Sequence, residues 1–308
     1  MIDSRRLQML AQVARHGSFN RAAAELRLTP SAVSQQISAL ERSLGTPVVR
    51  RSTRGVELTE AGLVLIDAAE AISAELLTAQ REIDRLATAR TGKLSVATFT
   101  SGGQRLLPAA LTGFTAAHPG VELTVIESEP EESLPLVRSG AAELALAYHF
   151  TGPPPVTDGD RSGLTWTPIL DDPMYVVMPA DHRLAGSPSL GIADLGGERW
   201  VHGCVGQSDM LDHYAALAGV ELRVACRGTD YQFAQSLVRA GVGISSIPEV
   251  ALTTDPTGLV AVPMRPPGPC RHIGVATPKR RPSTLALALV RTLREAVTQL
   301  PPNPLTRR

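Results

Sequence analysis

Between Leu58 and Leu86 there is no proline and a single glycine, Gly62. Leu58, Gly62, Leu65, Ala69, Ile72, Leu76, Ala79, Ile83 and Leu86 recur there at alternating steps of four and three. That spacing predicts one helix of about 40 Å. A mean period of 3.5 residues, held over about four heptads, winds an apolar seam to the left and suits pairing with a second helix. Ala69 and Ala79 would let two such helices approach closely. Residues 59–90 are therefore expected to form a dimerisation helix, with Leu65, Ala69, Ile72, Leu76, Ala79 and Ile83 on its seam. The competing reading is a long helix packed on its own domain. Either way the chain divides into a short head and a body of more than 200 residues.

The head reads as three helices. Leu7, Leu10, Ala11 and Ala14 fall on one helical face, and Gly17 stops that helix. Ser18 is a good N-cap for a second helix that buries Phe19, Ala22, Ala23 and Leu26. Thr29 caps a third, with Pro30 at its first position, where a missing N–H costs nothing. Val33, Ile37, Leu40 and Leu44 form the buried stripe of the third helix. Its other face carries Ser31, Ser34, Gln35 and Ser38, then Arg42. Lysine and glutamate usually occupy such a face. Short hydroxyl and amide side chains instead let a helix approach the floor of a major groove and meet base edges. Two helices joined by the turn from Leu26 to Thr29 have helix-turn-helix geometry. An ordinary three-helix core with a polar outer face fits the same residues.

The next stretch, TPVVRRSTRGVELT from Thr46 to Thr59, reads as two short strands around Arg50, Arg51, Arg54 and Gly55. Beside a helix-turn-helix, such a wing sets arginines against phosphates or in the minor groove. Charge agrees. The whole chain balances 30 basic against 30 acidic residues, yet residues 1–65 hold nine arginines against five acids, a net +4, which leaves the remainder at −4. A basic head on an acidic body points to nucleic acid at the head.

From Lys93 onward strand and helix patterns alternate. LSVATF, VELTVIE and ELALAY read as strands, with helices expected over Gly103–His118 and Glu131–Ser139. Such alternation indicates a parallel α/β sheet. Residues 149–163 form a Gly/Pro-rich link. Further strands are expected near 164–170, 174–178, 199–203 and 222–226 and at GISSIP, LVAVPM and RHIGVAT. Helices are expected near 209–218, over Tyr231–Ala240 and over Ser283–Leu300, followed by a frayed tail, PPNPLTRR. Two α/β lobes with a cleft between them fit this order. Ligands of open α/β sheets bind beyond the carboxyl ends of strands. Thr100, Ser101, Gly102 and Gly103 sit at such an end, where hydroxyls and a helix N-terminus would hold a small anion. Ser128, Tyr148, His149, His202, Cys204 and Thr229 sit at others.

Three cysteines, Cys204, Cys226 and Cys270, show no C-x-x-C spacing, and the odd count argues against a disulfide framework. The histidines lack metal-ligand spacing, so no metal and no cofactor are expected. Ser208, Asp209 and His213 on one helix do not form a nucleophile–base–orienter set. No apolar run reaches the 18 or so residues that span a bilayer, and the start MIDSRRLQML is charged where a signal peptide is apolar. The reading is a cytoplasmic protein that is not an enzyme.

With these parts in order, the chain resembles the LysR-type transcriptional regulators over nearly its whole length. The stretch SFNRAAAELRLTPSAVSQQISALERSLGTPVVRRSTRGVELTEAG carries most of the likeness, supported by RLLPAALTGFTAAHPGVELTV, SGAAELALAY and GVGISSIP. The resemblance implies a winged helix-turn-helix over residues 1–58, a linker helix over 59–90 and a two-lobed α/β effector domain of periplasmic-binding-protein type. One lobe is expected over 92–167 and 270–300, the other over 168–269, with 301–308 as tail. It implies a homodimer or homotetramer on double-stranded DNA carrying an inverted-repeat operator, modulated by a small-molecule effector. The DNA-binding positions it implies are Ser18, Arg21, Thr29, Pro30, Ser31, Ser34 and Gln35, with Arg51 and Arg54 in the wing. The effector positions are Thr100, Ser101, Gly102, Ser128, Tyr148, His149, His202, Cys204 and Thr229. The chain departs from the family in having Val48–Val49 before the wing in place of Leu-Phe, Arg50 where an acid is frequent, and bulky Tyr148 and His202. A small-molecule binding protein whose head serves only oligomerisation is the alternative function.

Overall fold

A computed structural model describes residues 2–52, 55–88, 92–150, 163–266, 268–279 and 282–306. The chain forms two compact units, one built chiefly on residues 1–90 and the other chiefly on residues 91–308.

In the first unit, α1 (Ser4–His16), α2 (Phe19–Glu25) and α3 (Pro30–Leu44) each begin on a side-chain cap. Asp3, Ser18 and Thr29 accept from the backbone N–H three residues on, which satisfies one of the donors a helix start leaves open. Gly17 and Gly45 end α1 and α3 at φ of 58° and 70°, the left-handed conformation in which a side chain is strained. Arg27 takes the same region at φ 55° and makes the tight turn between α2 and α3. Leu7, Leu10, Val13, Ala22, Ala23, Val33, Ile37 and Leu40 close the core between the three helices. Each larger side chain buried there contributes roughly 1.5–3 kcal/mol.

The wing is an antiparallel pair, β1 (Val49–Ser52) and β2 (Gly55–Leu58), with Val49 opposite Leu58. It is fastened to α3 by Glu41, whose carboxylate accepts from Val48 N at 3.0 Å. Helix α4 (Glu60–Thr88) follows at once, capped by Thr59, whose hydroxyl accepts from Gly62 N and donates to Pro47 O. A side chain at Gly62 would put its Cβ 2.1 Å from Val48 O, so glycine there permits the close approach of helix and wing.

Helix α4 corrects the expected seam. Leu65 and Ala69 are only 7% and 5% exposed, buried in the head's own core. They belong to the packing of α4 on α1 and are not available to a second chain. Beyond Ala69 the apolar ridge emerges: Ile72 is 41%, Leu76 59% and Ile83 57% exposed, and Ala79 is exposed too.

The second unit holds a five-stranded sheet in the order β4-β3-β5-β12-β6, from β3 (Lys93–Thr98), β4 (Glu122–Glu127), β5 (Leu144–Phe150), β6 (Leu164–Asp172) and β12 (Arg271–Pro278). β3 runs parallel to β4 and β5, whereas β12 is antiparallel to both β5 and β6. The sheet is therefore mixed, not parallel as expected. The chain leaves this lobe through β6 and returns through β12, and the returning strand enters in the opposite sense. The expected helix over 103–118 is two helices, α5 (Thr100–Arg105) and α6 (Leu107–Ala117). Pro108 lacks the N–H that a continuous helix would need there, and it sits instead at the tolerated start of α6. Leu94, Val96, Phe99, Leu106, Phe114, Leu144, Leu146 and Val275 pack with α10 (Thr284–Thr298) on one face of the sheet. α7 (Pro130–Arg138) packs Leu134 and Val137 with Ala97, Ala145 and Ala147 on the other.

The second lobe is built on β7 (Met174–Pro179), flanked antiparallel by β10 (Ser245–Pro248) and β11 (Leu259–Pro263). A parallel pair, β8 (Arg199–His202) and β9 (Arg223–Arg227), joins through a bridge between Trp200 and Ile244. Helices α8 (Val205–Leu217) and α9 (Tyr231–Arg239) cover it. The tail is not frayed over its described residues. Asn303 is buried, donates to Leu252 O at 3.0 Å and accepts from Leu305 N, and Leu305 enters the core with Leu252 and Leu259. Of the expected link, residues 151–162 lie outside the described residues.

Candidate DNA-reading face and effector cavity

On α3 the buried stripe of Val33, Ile37 and Leu40 turns the opposite face outward. Thr29, Pro30, Ser31 and Gln35 are exposed and Ser34 is half-buried. The Thr29 and Ser31 hydroxyls lie 3.1 Å apart, one donating to the other. Arg21 is exposed on α2, while the Ser18 hydroxyl is engaged as the α2 cap, accepting from Arg21 N at 3.5 Å. The neighbouring Gln36 amide oxygen accepts from Arg6 Nε at 3.2 Å, a tie the sequence reading did not foresee. Arg50 is exposed on β1. Arg54, and the side chain of Arg51, lie outside the described residues. The face therefore offers donors and acceptors on short arms, in the size range that major-groove recognition requires.

In the second unit a cavity opens between the two lobes. It is narrow: most of its ≈ 360 Å³ is the open mouth, and the enclosed room is ≈ 20 Å³. Five of the nine expected positions line it: Thr100, Ser101, Tyr148, Cys204 and Thr229. Phe99, Gln104, Glu129, Asp230, Tyr231 and Arg271 also line it and were not foreseen as ligand positions. Four expected positions do not line it. Gly102 carries no side chain because the Phe99 ring lies where its Cβ would be, at 2.6 Å. His149 follows Tyr148 on β5 and so points to the opposite face; its ring stacks on His272 at 5.1 Å. His202 is buried at the end of β8 with Nδ1 3.4 Å from Arg227 Nη1. The Ser128 hydroxyl is buried with no hydrogen-bond partner.

Arg271 organises the cavity wall. It is 1% exposed and its ion partner Asp172 0%, with Nε and Nη2 at 2.7 and 2.6 Å from Asp172 Oδ2. Nη2 also donates to Ser101 Oγ at 3.1 Å. Asp172 Oδ1 accepts from Val250 N at 2.9 Å, so one carboxylate joins β6, β12 and the second lobe. The guanidinium carbon lies 5.1 and 5.0 Å from the ring centres of Phe99 and Tyr148, within cation–π range. The Tyr148 hydroxyl donates to Glu129 Oε2 at 2.7 Å and is 3.8 Å from Cys204 Sγ. Burial, then the Cys204 and Glu129 charges, push the Tyr148 hydroxyl far above its ordinary value. Burial does the same to Tyr231, whose hydroxyl has the Cys204 thiol beside it and no other partner among the described residues. Burial lowers His202 and His149 below the ordinary 6.5. No group of three or more His, Cys, Asp or Glu placed to hold a metal occurs among the described residues.

Comparison with known proteins gives the arrangement its context. Residues 4–63 match the family described as bacterial regulatory helix-turn-helix protein, lysR family, and residues 87–298 match the LysR substrate binding domain. The chain is 26% identical over 278 residues to the DNA-binding transcriptional dual regulator OxyR of Escherichia coli strain K12, covering 89% of this chain and 88% of that one. It is 27% identical over 284 residues to the transcriptional dual regulator GltC of Bacillus subtilis strain 168, covering 91% and 92%. Among solved structures, a full-length OxyR variant from Pseudomonas aeruginosa superposes with a TM-score of 0.60 at 22% identity, over 100% of this chain and 99% of that one. Full-length CbnR with its target DNA superposes with a TM-score of 0.55 at 21% identity, over 96% and 100%. A capped helix-turn-helix with a wing, followed by a long helix and a two-lobed α/β unit, is thus matched along nearly its whole length, and the chain belongs to the LysR family of transcriptional regulators, DNA-binding proteins with an effector-binding domain.

Proposed function

We propose that two copies of the chain join along the outer part of α4 and present their α3 helices to successive major grooves of an inverted repeat. The observation that carries this is the outward face of Thr29, Ser31, Ser34 and Gln35 on a helix whose other side is locked in the core. Arg21 and Arg50, exposed at the edges of that face, supply phosphate contacts. The ridge of Ile72, Leu76, Ala79 and Ile83 supplies the pairing surface. Paired readers recognise half-sites about one helical turn, roughly 34 Å, apart. The cavity lined by Tyr148, Cys204 and Arg271 holds the effector, which acts by its differential affinity for two lobe arrangements. The relatives are regulators and not enzymes, which supports a non-catalytic role in the cytoplasm, beside the DNA.

Gel retardation on the DNA upstream of the protein's own gene tests this reading against that of a small-molecule binder with an oligomerising head. Retention that survives excess competitor DNA is expected, and Arg21→Ala should lower the salt slope by about one. Retention no stronger than on competitor would refute it.

A second reading rests on Cys204, whose thiol lines the cavity. A relative from Dickeya chrysanthemi, 26% identical over 278 residues, is named hydrogen peroxide-inducible genes activator. In this reading the thiolate attacks a peroxide oxygen, giving a sulfenic acid and hydroxide. A mass gain of about 16 Da on Cys204 with an altered footprint would support it, and an unchanged thiol after peroxide treatment would exclude it.

A further inference from the structure

The charges around the cavity are set against a carboxylate ligand. Arg271 is its one buried cation, and Asp172 already holds that guanidinium through two nitrogens, at 2.7 and 2.6 Å. Ser101 takes a further N–H, and aromatic rings cover its flat faces. The positive charge is thus neutralised within the chain. At the N-terminus of α9, which also borders the cavity, the chain sets a carboxylate of its own: Asp230 Oδ1 accepts from Phe233 N at 2.6 Å. An incoming anion finds the guanidinium engaged, and at the expected anion site the Thr100 hydroxyl already donates to Glu127 Oε1 at 2.6 Å while Ser101 Oγ accepts from Arg271. It would also face Glu129 and Asp230, two lining carboxylates for which no ion pair occurs among the described residues. A net charge of −2 remains on the lining once Arg271 is set against Asp172.

A second feature calls for a hydrogen-bond donor. The Tyr231 hydroxyl lines the same space and is buried, with the Cys204 thiol beside it to take its proton, which leaves the hydroxyl oxygen open to a donor. A ligand N–H would satisfy that oxygen. The Glu129 carboxylate receives the Tyr148 hydroxyl on Oε2, which leaves Oε1 for a second donor.

We infer that this cavity takes a small organic cation, a protonated primary amine or an amidine, and rejects carboxylates. The inference rests on the cavity being the effector site and revises the expectation of an anionic ligand. The ammonium group donates to Glu129 and to the Tyr231 oxygen, and its short carbon chain lies along the rings of Tyr148 and Phe99. The small volume restricts the ligand to a few heavy atoms.

Isothermal titration calorimetry on the full-length protein, at fixed ionic strength, tests this with ethylammonium and acetamidinium against acetate and propionate. Saturable heat is expected from the two cations and none from the two anions. Glu129→Gln, which keeps size and hydrogen bonding, should weaken cation binding by at least about tenfold, equivalent to 1.4 kcal/mol. Tyr231→Phe should weaken it several-fold. Failure of both cations to bind, or equal cation affinity in Glu129→Gln, overturns the inference. Footprinting on operator DNA with each probe separates the two layers. A cation that binds through Glu129 without altering the footprint upholds the ligand class and refutes the effector-site reading. A carboxylate that alters the footprint, and does so more strongly in Glu129→Gln, overturns the ligand class and leaves the effector site standing.

Discussion

Replacing Asp172 with asparagine removes one charge and little else. The amide is the same size as the carboxylate, and its oxygen can still accept from Val250 N, as Asp172 does at 2.9 Å. What is lost is the counter-ion of a guanidinium that is 1% exposed. Breaking a buried pair from one side leaves the other charge uncompensated and costs about 3–5 kcal/mol. For a unit of this size each kcal/mol lowers the melting temperature by roughly 2–4 °C, so a fall of about 6–20 °C is expected. Tryptophan fluorescence reads this unit alone. The chain has two tryptophans, Trp166 and Trp200, and both lie on its strands. With a urea m value of about 2–3 kcal/mol/M, the midpoint should fall by roughly 1–2.5 M with m unchanged. Removing both partners, as Arg271→Met with Asp172→Leu, should return most of the loss, because no unpaired charge is then buried. A single variant within about 1 kcal/mol of the parent would refute the reasoning, since the pair would then be solvated and could not neutralise the cavity.

Three further outcomes follow from the same geometry. Gly62→Ala drives a Cβ to 2.1 Å from Val48 O, and should destabilise the head by about 2 kcal/mol or more, seen as early proteolysis between the wing and α4. Leu76→Glu with Ile83→Glu should shift sedimentation towards the monomer while leaving the head folded, because both side chains are more than half exposed in the single chain. His202 is held below its ordinary 6.5 by burial. The unfolded chain therefore takes up a proton first, so this contribution is full above about pH 6.5 and declines as pH falls below it. The urea midpoint should fall less between about pH 7 and pH 5 in His202→Leu than in the parent.

Local rules carried far in this chain. Caps at Ser18 and Thr29 and the stop at Gly17 placed the head helices, because each depends on one residue and its immediate neighbours. The strand-end rule reached Thr100, Ser101, Tyr148, Cys204 and Thr229, which one cavity brings together. What escaped was set by distant partners. Arg271 read as the first residue of an ordinary strand, and its counter-ion lies 99 residues earlier. Leu65 and Ala69 share a period with Leu76 and Ile83, but the period does not say whether the covering surface comes from the same chain. His149 failed by strand alternation, and Gly102 by the nearness of the Phe99 ring. Asn303 sits in a segment rich in proline whose composition suggests fraying, and only its bond to Leu252 shows it docked.

The account turns on whether the outward face of α3 lies in the major groove. Affinities of the parent and Gln35→Ala for an operator series, with each half-site base pair substituted in turn, measure this directly. The variant should lose about 1–3 kcal/mol on the intact operator and discriminate poorly at one base pair, with its salt slope unchanged. A variant that ranks every operator as the parent does would place Gln35 outside the groove and contradict the assignment of the reading face.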